Sequence, residues 1–97
     1  MQKHIDILIK GSVNNRGYVL LAMKEADKLF INGFAAYTDD NNLFIEAEGY
    51  EPQLEKLIEW CKQERFGAEI KEVIVNIGEM QYYRTFEMGV SVLEIRS

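Results

Sequence analysis

The sequence holds few of the residues that mark specialised classes of protein. Its single cysteine, Cys61, excludes an internal disulfide and is typical of a reducing compartment, so we expect a cytoplasmic protein. One proline and 7 glycines give no sign of a linker or a disordered tail. No apolar run approaches the roughly 18 residues of a membrane span, and the first residues lack a signal-peptide pattern. With a length of 97 residues, these absences predict a single globular domain over residues 1–97.

Clustered positive charge is also missing. The formal net charge is -5, from 11 Lys and Arg against 16 Asp and Glu, and the basic residues are scattered along the chain. Surfaces that bind nucleic acids or anionic membranes need clustered lysines and arginines, so neither partner is expected. The aromatic segment "MQYYRTF" also lacks the basic glycine-aromatic signature of sheets that bind RNA.

Apolar periodicity divides the chain into strands and helices. In chain order the patterns predict a strand over 4–9, a helix over 17–30, strands over 31–38 and 43–48, a helix within 49–67, and strands over 68–77 and 84–95. The turn signal "DDNN" joins the second and third strands into a hairpin. The alternation slips between Ile70 and Val73, which predicts a bulge or a bend in that strand.

The order of these elements predicts the fold class. Each helix connects two strands, so both helices must pack on a face of the sheet. Two right-handed crossovers with a hairpin between them give a ferredoxin-like α/β sandwich of the α+β class. We therefore expect an antiparallel sheet with two helices on one face, a more open second face, and an extra C-terminal strand.

The join between the first strand and the first helix is rich in turn formers. It has the sequence "KGSVNNRGYV", residues 10–19. The first N–H groups of a helix have no partner within it, and the helix dipole favours negative charge there. Such a join can hold an anion, and it can equally be a plain turn.

The spacing within this join fits a known loop pattern. Gly11, Val13, Gly17 and Tyr18 fall at the glycine, valine and aromatic positions of G-x-V-Q-G-V-G-F-R. The match continues without a gap through "GFAAYTDDNNLFIEAEG", residues 33–49, against G-W-V-R-N-x-x-D-G-x-V-E-V-x-A-E-G. By these motifs the chain resembles the acylphosphatases over roughly residues 5 to 88.

The resemblance implies a function and a set of site residues. Acylphosphatases hydrolyse acyl phosphates to a carboxylate and phosphate, with no metal or cofactor. Their loop N–H groups and one arginine hold the phosphate, and one asparagine on the second strand orients the attacking water. Carried onto this chain, the phosphate-binding positions are Asn14, Asn15, Arg16, Gly17, Tyr18 and Val19.

Two positions of this chain depart from the family pattern. Val19 stands at the position of the catalytic arginine, and Tyr37 at the position of the catalytic asparagine. Valine carries no charge or donor, and a phenol cannot copy the paired donor and acceptor of an amide. Loss of one stabilising donor typically reduces the rate about 100- to 1,000-fold. The leading hypothesis is a divergent family member with little or no acylphosphatase activity and a loop that binds phosphate or another small anion weakly.

Two alternative functions are also compatible with the sequence. In the first, the chain is an active hydrolase of acyl phosphates in which Arg16, together with loop N–H groups, replaces the missing arginine. In the second, it is a protein-interaction module that works through a sheet edge. Residues 89–97 carry alternating strand formers, so the chain is expected to be a monomer or a weak homodimer through this C-terminal strand.

Other residues of types that can bind metals or act as nucleophiles are expected to have structural roles. His4 has no Cys, Asp or second His at the usual ligand spacing, so no metal site is predicted and we expect a strand-edge residue. Glu46 and Glu48 share a strand face with Phe44 and are expected to form its solvated side. Cys61 continues the apolar stripe of the second helix and is expected to be a small core residue.

Overall fold

The computed structural model describes residues 1–14, 16–65 and 67–89. The predictions for Asn15 and for residues 90–97 lie outside the described residues. The helices and strands, numbered in chain order, are β1 (Gln2–Ser12), α1 (Arg16–Lys28), β2 (Asn32–Tyr37), β3 (Leu43–Tyr50), α2 (Glu51–Cys61), β4 (Glu69–Gly78) and β5 (Phe86–Met88).

The strands form one sheet in the order β4-β1-β3-β2-β5. The pairs β1–β3, β1–β4 and β2–β3 are antiparallel, as predicted, but β5 runs parallel to β2. After β4 the chain reverses direction and crosses to the far edge of the sheet. The new strand therefore runs like β2, and the sheet is mixed rather than wholly antiparallel. The extra C-terminal strand is present as β5.

One face of the sheet and both helices enclose the core. The buried apolar residues are Ile5, Ile7, Ile9, Val13, Tyr18, Val19, Ala22, Ala26, Ile31, Ala35, Leu43, Ile45, Ala47, Leu54, Leu57, Cys61 and Ala68. Alternate residues of β1 and β3 belong to this set because successive strand residues point to opposite faces. The predicted ferredoxin-like sandwich is therefore confirmed, and the other sheet face carries a different set of side chains.

Helix α1 ends earlier than its apolar pattern predicts. It stops at Lys28, and Phe30 adopts a φ of 58° with its side chain 86% exposed. The Phe30 N–H donates to the Asp27 carbonyl at 3.1 Å, and the Ile31 N–H donates to the Ala26 carbonyl at 2.9 Å. These two bonds are those of a Schellman cap, which normally has glycine where this chain has Phe30.

The predicted bulge in β4 is confirmed. Lys10 of β1 pairs with Glu72, whereas Gly11 pairs with Ile70, so Lys71 is the extra residue. Opposite this bulge Gly11 has a φ of 141°, and a Cβ atom on it would lie 2.0 Å from the Glu69 carbonyl oxygen. Only glycine fits this close approach between the two strands.

Neither α1 nor α2 could cross a membrane, since no helix among the described residues combines the necessary length and apolar character.

Candidate functional site

The join between β1 and α1 lies beside the turn between β2 and β3. The Gly11 N–H donates to the side-chain oxygen of Asn42 at 3.4 Å, and the Asn42 N–H donates to the Thr38 hydroxyl at 3.1 Å. In the join itself Val13 is buried and Asn14 is exposed. The predicted hairpin turn is confirmed, and Asn42 of this turn contacts the start of the join at Gly11.

The start of α1 supplies backbone donors at this join. The helix begins at Arg16, and its first turn contains no acidic side chain that would repel an anion. The first four N–H groups of any α-helix lack a partner within the helix. Asn15 and the side chain of Arg16 lie outside what the structure describes, so the predicted roles of both remain predictions.

The next residues of α1 face the core. Tyr18 and Val19 are both 0% exposed. The Tyr18 hydroxyl donates to the Cys61 carbonyl at the end of α2, and its ring lies 5.4 Å from that of Trp60. Burial raises the pKa of Tyr18 well above its usual value. The side chain of Val19 is enclosed by apolar neighbours, so this position presents no polar group to the loop.

Tyr37, which stands at the position of the family's catalytic asparagine, lies at the end of β2. It pairs with Leu43 of β3, and its partly buried side chain packs against the hydrophobic core. The two positions at which the family pattern has its catalytic arginine and asparagine therefore both hold side chains that pack in or against the core.

A second group of polar side chains occupies the open face of the sheet. The Nε2 atom of His4 lies 2.8 Å from an oxygen of Asp6 and 3.4 Å from an oxygen of Glu46. The Nδ1 atom of the same ring lies 2.7 Å from an oxygen of Glu48. The side chains of His4, Glu46 and Glu48 are each at most 4% exposed, and that of Asp6 is 30% exposed. We call these four residues the His4 cluster.

The electrostatics of the His4 cluster favour charged groups despite the burial. Desolvation lowers the pKa of His4, but hydrogen bonds to Glu48 and Asp6 outweigh it and the net pKa is raised. Desolvation raises the pKa of Glu48, but N–H groups of Gln81 and Tyr83 and the His4 ring hold it below its usual range. Carboxylates beside both ring nitrogens favour the protonated form of His4, and Glu48 accepts the shorter of these contacts, at Nδ1.

Residues 79–85, which connect β4 to β5, cover this cluster. The Tyr83 N–H donates to Glu48 at 2.9 Å, and the Gln81 N–H donates to the other oxygen of Glu48. The Tyr83 ring stacks over His4 at 6.5 Å and meets the edge of Phe34 at 5.8 Å. This crossing segment therefore helps to shield Glu48 and the His4 ring from water.

The structure corrects the expectations for these residues. His4 lies on β1, between β4 and β3, and so it is not at a sheet edge. Glu46 and Glu48 are buried rather than solvated. The register places His4 opposite Glu48 and Asp6 opposite Glu46. The sequence signal was the pair of alternating motifs "HID" and "EAE", which share a face only once the two strands are paired in this register.

Cys61 is a core residue, as predicted. Its side chain is 0% exposed, and burial raises the pKa of its thiol to about 12. A nucleophilic cysteine requires the opposite shift, because the thiolate is the reactive form.

Comparisons with known proteins agree on a family. A family model described as Acylphosphatase matches residues 5–88. An acylphosphatase of Acaryochloris marina is 33% identical over 81 residues, covering 84% of this chain and 87% of that protein. One from Shewanella amazonensis is 32% identical over 77 residues, covering 79% and 85%. The chain belongs to the acylphosphatase family.

Solved structures show the acylphosphatase fold in this chain. The crystal structure of acylphosphatase from Bacillus subtilis matches with a TM-score of 0.85 and 24% identity, covering 92% of this chain and 99% of that one. A full-length HypF structure in its phosphate- and nucleotide-bound form matches with a TM-score of 0.87 and 26% identity. It covers 94% of this chain and 12% of the HypF chain.

Membership in the acylphosphatase family gives the join between β1 and α1 its significance. The sequence pattern places the family motif on this loop, and Val19 and Tyr37 are the positions predicted to depart from that motif. The His4 cluster lies at the opposite end of β1 and on the opposite face of the sheet. An acylphosphatase reaction at the loop would therefore not involve it.

Proposed function

We propose that the chain is a divergent acylphosphatase-family protein with little or no acylphosphatase activity, which retains a weak phosphate site at the β1–α1 join. The observation that carries the proposal is the burial of Val19, which is 0% exposed at the predicted arginine position. A valine side chain can neither neutralise the charge of a phosphate nor donate a hydrogen bond to it.

The expected loss of rate follows from the chemistry of phosphoryl transfer. Such reactions depend on positioning and on stabilisation of negative charge, with little covalent help from the protein. Removal of one stabilising donor costs about 100- to 1,000-fold in rate. The packing of Tyr37 against the core supports a second loss, because its side chain replaces the amide that orients water.

The retained part of the site is the backbone. The start of α1 at Arg16 supports weak binding of phosphate through N–H groups of residues 14–19, without a dedicated side chain. The absence of an acidic residue in the first turn of α1 favours an anion at this place.

Hydrolysis of benzoyl phosphate, measured beside an active acylphosphatase, tests the proposal. We expect turnover at most about one thousandth of that of the active enzyme. Turnover comparable to that of the active enzyme would refute it. In that case the variant Arg16→Ala tests the alternative hydrolase, in which the Arg16 guanidinium replaces the missing arginine. If this alternative is right, the variant should lose its activity.

An exposed sheet edge favours the second candidate function, a protein-interaction module. Strand β4 is at an edge of the sheet, and no described strand pairs with its outer side. Val75 and Ile77 on this strand are 37% and 84% exposed. Light scattering at several concentrations, for the full chain and for a chain ending at Met88, tests association between copies. A monomer at every concentration would exclude a homodimer through the C-terminal residues.

A further inference from the structure

Three ligand atoms of the His4 cluster converge on one point of the open sheet face. The Nε2 atom of His4, a carboxylate oxygen of Asp6 and a carboxylate oxygen of Glu46 all lie within 4.8 Å of one another. One imidazole nitrogen with two carboxylate oxygens is a donor set that binds zinc and other divalent first-row metals.

We propose that His4, Asp6 and Glu46 bind one divalent transition-metal ion on the open face of the sheet, and that Glu48 is the positioning residue that orients the His4 ring. Nothing in the chemistry of the family loop requires this site, so the inference stands apart from the proposed function.

The distances between the ligand atoms fit such an ion. Metal–ligand bonds of about 2.0–2.1 Å in a tetrahedral site separate neighbouring ligand atoms by about 3.3–3.4 Å. The distance between His4 Nε2 and the Glu46 oxygen is 3.4 Å. The distance between Nε2 and the Asp6 oxygen is 2.8 Å, so this carboxylate must move away by about half an ångström. Asp6 is the partly exposed member of the cluster and has room to do so.

A hydrogen bond at the second ring nitrogen, Nδ1, already fixes the orientation of the His4 ring. Nδ1 of His4 lies 2.7 Å from Glu48, whose side chain is 2% exposed and accepts N–H groups of Gln81 and Tyr83. Metal-binding histidines typically donate their other ring N–H to a carboxylate, which fixes the tautomer and the orientation of the ring. Glu48 therefore leaves Nε2 as the nitrogen that faces the metal.

Formal charges favour a cation at this place. The three carboxylates of the cluster sum to a formal charge of -3, and three of its four side chains are at most 4% exposed. A divalent ion bound beside the neutral ring brings the sum to -1 (from -3 and +2). Less buried charge remains uncompensated in the metal-bound form.

The surroundings leave room for the ring and a route for the ion. Gly78 of β4 pairs with His4, and a Cβ atom at Gly78 would lie 2.8 Å from the ring carbon Cδ2. The absence of a side chain there leaves the space that the His4 ring occupies beside β4. The 30% exposure of the Asp6 side chain provides the entrance, and water supplies the remaining ligand position.

His4 is the only histidine of the chain, so imidazole NMR signals report on this site alone. The experiment titrates the full, chelator-treated chain with ZnCl₂, and with MgCl₂ as a control because magnesium prefers oxygen ligands. We expect one zinc per chain, loss of the Nε2 proton signal and retention of the Nδ1 proton signal. At about 100 times the dissociation constant, zinc should raise the melting temperature by roughly 10–20 °C.

Matched variants assign the ligands. Asp6→Asn and Glu46→Gln should each weaken zinc binding at least about 10-fold, and Glu48→Gln about 10- to 100-fold with loss of the sharp Nδ1 proton signal. The control variants Asp39→Asn and Glu55→Gln remove exposed carboxylates elsewhere and should bind as the wild type does.

Two results would overturn the proposal. One is an unchanged His4 spectrum and melting temperature at about 100-fold excess of zinc over protein, which would leave the cluster as a buried imidazolium–carboxylate network only. The other is wild-type affinity in folded Asp6→Asn and Glu46→Gln variants. If a variant does not fold, the wild-type His4 spectrum alone tests whether zinc binds at the His4 cluster.

Discussion

The hydroxyl of Tyr18 donates a hydrogen bond to the main-chain carbonyl of Cys61 at 2.9 Å, and so joins the first turn of α1 to the last residue of α2. The variant Tyr18→Phe keeps the ring but leaves a buried carbonyl without this donor. We expect the free energy of unfolding in urea to fall by about 1–3 kcal/mol. Tyr82→Phe is the matched control, because Tyr82 is 77% exposed and its change should have almost no effect.

Alkaline pH should destabilise the folded chain through Cys61. Burial raises the pKa of this thiol from 9.0 to about 12. The folded state therefore holds the proton more tightly, and this stabilisation is complete below about pH 9 and is lost as pH rises towards 12. Urea unfolding should show a stability about 2–3 kcal/mol lower near pH 11 than near pH 8. Tyr18, whose pKa is also raised by burial, acts in the same direction at higher pH.

The variant Cys61→Ala separates the thiol from other groups. It should flatten the decrease in stability just above pH 9, where the phenol of Tyr18 does not yet contribute. An unchanged pH profile in this variant would show that the thiol is not responsible.

Phe30 should be replaceable by glycine with a gain in stability. Its φ of 58° closes the Schellman cap of α1, and its side chain is 86% exposed, so little packing is lost. A left-handed conformation costs a non-glycine residue roughly 1–2 kcal/mol. We expect Phe30→Gly to raise the free energy of unfolding by about 1 kcal/mol, measured in urea. A decrease would mean that the exposed ring makes contacts that outweigh the strain.

Introducing the family arginine at residue 19 should not restore acylphosphatase activity. Val19 is 0% exposed within the core, and an uncompensated buried charge costs about 3–5 kcal/mol. We expect Val19→Arg to lose at least about 3 kcal/mol of stability, with no gain in benzoyl phosphate hydrolysis. Leu20→Arg, at a neighbouring residue that is 58% exposed, should remain stable. A stable and active Val19→Arg protein would contradict this prediction.

Phosphate should perturb the amide signals of the β1–α1 join. We expect NMR shifts centred on residues 14–19 at millimolar phosphate, because backbone N–H groups are the donors that the join retains. The start of α2 provides an internal control, since its first turn carries Glu51 and a proline. Equal shifts at both helix starts, or none at the join, would count against a retained phosphate site.

Much of the fold could be predicted from local patterns. Apolar residues at every second position identified the strands, and the slip between Ile70 and Val73 located the bulge at Lys71. Leu54, Leu57 and Cys61 follow the helical spacing and are buried together on α2. These features depend on neighbours within one element, which the sequence displays directly. The end of α1 was predicted less well, because Phe30 continues the apolar pattern although the chain has already left the helix.

The sequence by itself determined the order of elements, the family and the residues at the two positions that depart from the family motif, because each of these follows from spacing along the chain. Only the tertiary structure decided the surroundings of His4. Its carboxylate partner Glu48 is 44 residues away, and Gln81 and Tyr83 reach the same carboxylate from the segment that crosses the sheet. Strand order and register brought these groups together and removed them from water, and neither is written in the periodicity of any one strand.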